Sequence, residues 1–135
     1  MPAILIVEDD PGLLELIAQI MKLEGWDVDT ASTGQAAMER IRRRSYDAVV
    51  LDLILPDADG VLLHARMRRV RPHLQARTIF MTGFTSQEPV VDYLRSLSVE
   101  FLQKPFAAEE LVRAVERVAR VRSEQAVTAA GSKRS

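Results

Sequence analysis

"YDAVVLDLILPDADG", residues 46–60, decides the fold. Its core, Ala48-Val49-Val50-Leu51, is a short apolar run, the pattern of a strand buried on both faces. Such a strand belongs to a parallel sheet with helices packed on each side. The run then ends in a carboxylate, Asp52, and a Pro-Asp turn leads to Gly60. An acid at the tip of the most buried strand calls for a chemical reason.

The flanking sequence repeats the same unit. Ala3-Ile4-Leu5-Ile6-Val7 is a second buried strand, followed by Glu8, Asp9 and Asp10. Asp10 and Pro11 suit the N-cap and first position of a helix whose Leu13, Leu16, Ile17, Ile20 and Met21 keep a core-facing spacing. Gly25 ends that helix. Asp27-Val28-Asp29-Thr30-Ala31 alternates like an exposed edge strand. A second helix is predicted over about 34–44, with Ala37, Met38 and Ile41 inward. A third runs from Gly60 to about Val70, with Leu63 and Met67 inward. Residues 77–82 make a fourth strand stopped by Gly83, and about 87–97 a fourth helix. Val99 to Leu102 is a short fifth strand, and about 107–122 a last helix with Leu111, Val115 and Val118 inward. Five strands alternating with five helices predict an α/β fold with a parallel sheet covered on both faces.

Composition limits what this fold does. At 135 residues, 47% hydrophobic and 27% charged, the chain reads as one soluble domain. No apolar stretch approaches the roughly 20 residues of a membrane helix, so no membrane role is expected. Met1-Pro2-Ala3 enters the first strand directly, which predicts a natural start without a signal peptide and a cytoplasmic location. With no cysteine, disulfides, thiol catalysis and thiolate metal sites are excluded. A net charge of −1 makes no case for direct nucleic-acid binding by this domain.

In open parallel sheets the active crevice lies beyond the carboxyl ends of the strands, where strand order reverses. Those ends carry Glu8 and Asp9, then Asp52, Thr82 and Lys104. With strand order 2-1-3-4-5, the first and third strands are neighbours, and Glu8, Asp9 and Asp52 converge. Like charges this close repel, and a hard divalent cation relieves them. Carboxylates without imidazole or thiolate suit Mg²⁺. A capping role explains most acids at strand ends, but does not account for Glu8, Asp9, Thr82 and Lys104 at the neighbouring ends. Asp57 and Asp59 do fit turn and N-cap roles. The set suggests phosphoryl transfer to a carboxylate: Asp52 as nucleophile, Lys104 as a point charge on the phosphoryl group, and Thr82 donating a hydrogen bond to it.

On the stretches "ILIVEDD", "DAVVLDLILPDADG", "IFMTGF" and "EFLQKPF", the sequence resembles the receiver domain of a two-component response regulator. They follow the family's order and spacing across residues 3 to 122. The resemblance implies a flavodoxin-like (βα)5 three-layer sandwich, with residues 1–122 the receiver and 123–135 a disordered tail or the start of a linker. It implies Mg²⁺ held by Glu8, Asp9, Asp52 and the backbone carbonyl of Ile54. Asp52 then takes a phosphoryl group from a phosphohistidine on a sensor histidine kinase or phosphotransfer protein. Lys104-Pro105 is expected to be cis. Thr82 and Phe101 are the implied switch pair, remodelling the face built from the fourth helix, fifth strand and fifth helix. Such a domain is a phosphoacceptor that assists its own transfer and slow self-dephosphorylation, not an enzyme.

Two features depart from the commonest family pattern. Phe101 stands where tyrosine is frequent, and Ile54 and Phe84, two residues past Asp52 and Thr82, are bulky and apolar. Both are expected to hinder an in-line water and slow dephosphorylation. Leu14, off the inward stripe of the first helix, is expected to face solvent beside the acids and anchor the phosphodonor, or else is a scattered surface leucine. Arg113, Arg117 and Arg120 against Glu100 and Asp92 offer salt bridges for a homodimer across the fourth-helix, fifth-strand, fifth-helix face, or simply a solvated face. His64 reads as packed in the core, His73 as a loop residue, and Arg66, Arg68, Arg69 and Arg71 as a solvated face. The alternative class is a degenerate receiver acting as a phosphorylation-independent scaffold. A phosphatase of the haloacid dehalogenase type needs a second acid where Ile54 stands, and no phosphate-binding glycine motif is present. The output is either a separate target of a stand-alone regulator or a further, possibly DNA-binding, domain of a longer one.

Overall fold

The alternating residues of each strand sort the molecule into two cores. In the computed structural model, which describes residues 1–83, 89–97 and 99–130, the strands are β1 (Ala3–Val7), β2 (Asp27–Ala31), β3 (Ala48–Asp52), β4 (Thr78–Thr82) and β5 (Glu100–Gln103). All pair in parallel, in the order β2-β1-β3-β4-β5. The helices are α1 (Pro11–Leu23), α2 (Gly34–Arg43), α3 (Gly60–Val70), α4 (Pro89–Ser96) and α5 (Ala108–Ala130). This is the flavodoxin-like three-layer arrangement expected.

Successive strand residues point to opposite faces. Leu5, Val7, Val49, Leu51 and Phe80 join Met38, Ile41, Leu63, Met67 and Leu94 in the core under α2, α3 and α4. Ile4, Ile6, Ala48, Val50, Ile79 and Met81 join Ile17, Met21, Leu111, Val115 and Val118 under α1 and α5. Each fully buried Leu, Ile or Phe contributes about 1.5–3 kcal/mol of transfer free energy. The central strands β1, β3 and β4 are buried along their whole length.

Local chemistry fixes the helix ends. Asp10 Oδ1 accepts from Gly12 N at 3.0 Å, with Pro11 opening α1. Gly25 follows that helix at φ 93°, a conformation open to glycine at little cost. Asp59 caps α3 through Val61 N and Leu62 N.

The outer strands carry ion pairs. Arg44 reaches Asp27 and, at 3.0 Å, Asp29, which also accepts from the Tyr46 hydroxyl at 2.7 Å. At β5, Arg117 grips both oxygens of Glu100 at 3.0 Å.

Several sequence expectations change. Helix α5 does not stop at Arg122 but continues to Ala130, through Glu124, Gln125, Ala126, Ala129 and Ala130, all good helix formers with no Gly or Pro before Gly131. A 3-10 turn over Pro72–Ala76 precedes β4, which starts at Thr78. Helix α1 carries two apolar stripes, and the inward one is Leu14-Ile17-Ala18-Met21. Leu14 is therefore half-buried against the core, while Leu16, expected inward, is 56% exposed. Asp57 is more than a turn residue, because its carboxylate reaches Gly34 N and Gln35 N of α2. Phe84 lies outside the described residues.

Candidate functional site

The sheet ends bring Glu8, Asp9 and Asp52 together. β1 and β3 are adjacent, with Val7 level with Leu51, so each strand delivers its acid one residue further on. One carboxylate oxygen from each of the three acids lies within 4.8 Å of the others. Glu8 and Asp52 are buried, 1% and 6% exposed, and Asp9 is exposed. An all-oxygen cluster with one open side fits a hard cation that keeps some of its water, and Mg²⁺ is the ion of that description.

Among the described residues, Lys104 is the cation bonded to this cluster. Lys104 Nζ donates to Glu8 Oε1 at 2.9 Å and to Asp52 Oδ2 at 3.0 Å. Burial alone would lower the Lys104 ammonium; the hydrogen bonds and charges of Glu8 and Asp52 outweigh it and hold it above its ordinary value. Burial, with the Asp52 charge beside it, pushes the Glu8 carboxyl up, although Asp10 N and Lys104 donate to it. Burial is the largest cause of this rise, and a divalent ion held beside Glu8 would oppose it.

The other named residues fall around this centre. Ile54 N donates to Asp52 Oδ1 at 3.1 Å, and Ile54 as a residue is 59% exposed. Thr82 ends β4, buried, one residue past the pair Asp52 and Met81. Its carbonyl accepts from Lys104 N at 2.7 Å, joining the ends of β4 and β5. Lys104-Pro105 is cis, as expected. Phe101 is half-buried against the α2–α4 core, with the Arg95 guanidinium 5.5 Å from its ring centre. Gly60 sits so close that an added Cβ would lie 2.6 Å from Leu53 Cα and 2.7 Å from Asp52 O, so the loop after Asp52 is held tightly.

A profile of the response regulator receiver domain matches residues 4–116. The chain belongs to that family. Curated relatives of this receiver domain include the transcriptional regulatory protein TrcR of Mycobacterium tuberculosis, 38% identical over 81% of this chain and 42% of the relative. The transcriptional regulatory protein BasR of Escherichia coli is 37% identical over 80% of this chain and 48% of its own. The chain thus spans less than half the length of these relatives. Among solved structures, a CheY-like receiver domain from Methanospirillum hungatei superposes with a TM-score of 0.83 at 26% identity, covering 93% of this chain and 98% of that one. TrrA of Thermotoga maritima, solved with Mg²⁺ and BeF, gives 0.74 at 26% identity over 87% and 99%.

The acids, Thr82 and Lys104 named from the sequence are brought to one end of the sheet, and what surrounds them was missed. Leu16, rather than Leu14, lines a groove of about 540 Å³ with Leu13, Phe106 and Lys104, between α1 and the start of α5. The acids expected to serve a homodimer are engaged within the chain: Glu100 with Arg117, and Asp92 with Arg95 at 3.5 Å. His73 bonds the Tyr46 carbonyl through Nε2 at 2.9 Å, away from the acids. No helix among the described residues is long and apolar enough to cross a membrane.

Proposed function

We propose that residues 1–122 form a phosphorylation switch in which Asp52 accepts a phosphoryl group from a phosphohistidine of a sensor histidine kinase or phosphotransfer protein. The observation carrying this reading is the bridge from Lys104 Nζ to both Glu8 and Asp52 within the three-acid cluster. An Asp52 carboxylate oxygen forms a bond to phosphorus as the phosphorus–nitrogen bond breaks, and the electron pair leaves with the imidazole. Glu8, Asp9, Asp52 and the Ile54 carbonyl would hold Mg²⁺, whose charge offsets the repulsion between two anions. Lys104 moves its charge from the Asp52 carboxylate to the incoming phosphoryl oxygens, and the Thr82 hydroxyl donates to another. The chain ends the reaction modified and so acts as a phosphoacceptor rather than a turnover enzyme.

Thr82 and Phe101 would carry the signal outward. A phosphoryl group draws Thr82 toward it, and Phe101 fills the space, leaving Arg95 without its ring and changing the α4-β5-α5 face. The donor would dock on the groove lined by Leu13, Leu16 and Phe106, which runs up to Lys104. Relatives named as transcriptional regulatory proteins support an output in transcription, and a cytoplasmic setting suits such a partner set. A homodimer through the α4-β5-α5 face would need contacts other than Glu100 and Asp92.

Intact mass after incubation with a small phosphodonor tests the central reading. One phosphoryl adduct is expected with Mg²⁺ and little without it, and peptide mapping should place it on Asp52. No adduct, or one elsewhere, sinks the proposal. Ile54, exposed beside Asp52, should shield the aspartyl phosphate from in-line water. Ile54→Asn is expected to shorten the phosphoryl lifetime several-fold; an unchanged or longer lifetime would show that this side chain does not shield.

A further inference from the structure

Residues 53–60 leave the sheet at Asp52 and return as helix α3. The base of this loop is fixed from inside: Leu53 and Leu55 are buried, Gly60 N donates to Leu53 O at 2.7 Å, and Ile54 and Asp59 form an antiparallel bridge. Its tip is fixed from outside. Asp57 Oδ1 accepts from Gly34 N at 2.7 Å and Oδ2 from Gln35 N at 3.1 Å, two of the open amides at the start of α2. The contact is close, since a Cβ on Gly34 would meet Ala58 Cβ at 2.7 Å. The helix also has a cap of its own, Thr33 Oγ1, which takes Ala36 N at 3.0 Å. A neighbouring Asp or Ser could have satisfied α2 locally. What a distant carboxylate adds is a fastening of the loop.

That loop carries Ile54, whose amide holds Asp52 Oδ1. We propose that Asp57 is a positioning residue: by tying the loop tip to α2, it fixes the Ile54 backbone against Asp52 and so sets the Mg²⁺ affinity of the acid cluster. This rests on the metal-assisted reading of the site given above. Partners that orient metal ligands from one layer out typically change affinity by about tenfold or more when removed.

Calorimetric Mg²⁺ titration of the metal-free 135-residue chain separates the possibilities. Asp57→Ala should weaken Mg²⁺ about tenfold and speed hydrogen exchange of the amides in residues 53–60. Thr33→Ala removes a cap from the same helix, yet should leave Mg²⁺ affinity within about twofold. Asp57→Asn keeps an acceptor for Gly34 N and should recover part of the loss. An unchanged affinity in Asp57→Ala, or an equal loss in Thr33→Ala, overturns the inference. Absence of Mg²⁺ binding by the wild-type chain overturns the metal-site reading itself, and the inference with it.

Discussion

Lys104→Met is expected to cost the metal-free protein about 3 kcal/mol, the low end of the scale for removing one partner of a buried ion pair, because the Lys104 side chain is itself 27% exposed while its two carboxylate partners are buried. Methionine keeps most of the apolar stem, so packing changes little and the lost charge dominates. Without it, Glu8 and Asp52, 1% and 8% exposed at their side chains, lose the ammonium that bridges them. The Glu8 carboxyl, already raised by burial, rises further. A carboxyl raised in the folded state binds more protons there than in the unfolded chain. The deficit is therefore largest at high pH and shrinks as pH falls toward the ordinary carboxylate range. Mg²⁺ supplies the missing charge and should stabilise the variant more than the wild type. Thermal unfolding with EDTA and with Mg²⁺ measures this, and a loss of about 10 °C or more in EDTA is expected. Equal melting of the two proteins in EDTA would remove Lys104 from its bridging role.

His64 gives the second large effect. It is buried, its ring stands T-shaped to Phe80 with ring centres 5.0 Å apart, and its Nε2 has no hydrogen-bond partner among the described residues. Burial first, then the Arg68 charge, push it down to about 4, against a backbone hydrogen bond with Leu74 that works the other way. A histidine lowered in the folded state binds its proton first when unfolded. Its contribution is intact above the unfolded value of 6.5 and erodes as pH falls toward 4. At 1.36 kcal/mol per unit, about 3 kcal/mol is lost across that window. His64→Leu should show a flatter decline between pH 7 and 4.5 in urea unfolding. The Leu74 carbonyl stays satisfied by Thr78 Oγ1 and Arg77 N, so the substitution strands no acceptor. Identical pH slopes would mean that His64 opens to water well before the protein unfolds.

The strands and the acid-bearing end of the sheet were legible because their signals are local. A run such as Ala48 to Leu51 has few other uses, and acids directly after Val7 and Leu51 converge once those strands are neighbours. Side-chain facing on α1 was less legible, since the stripes through Leu13 and Leu14 differ by one residue and only packing against α5 chooses between them. Asp57 was read as a turn former because its helix partners lie 22 and 23 positions away. No local pattern announces such a contact. The Glu100–Arg117 pair was foreseen as a charge mix, but its closure within one chain follows from β5 lying beside α5.

The ion pairs on the two outer strands bear on how copies of this protein meet. An open sheet ends in rows of backbone donors and acceptors that invite another strand. On β2, Asp27 and Asp29 are clasped by Arg44 and Tyr46, and on β5, Glu100 is clasped by Arg117. A strand approaching either rim must displace fixed charges before it gains a backbone bond. Growth of the sheet from copy to copy, the first step toward a fibril, is thus discouraged at both margins.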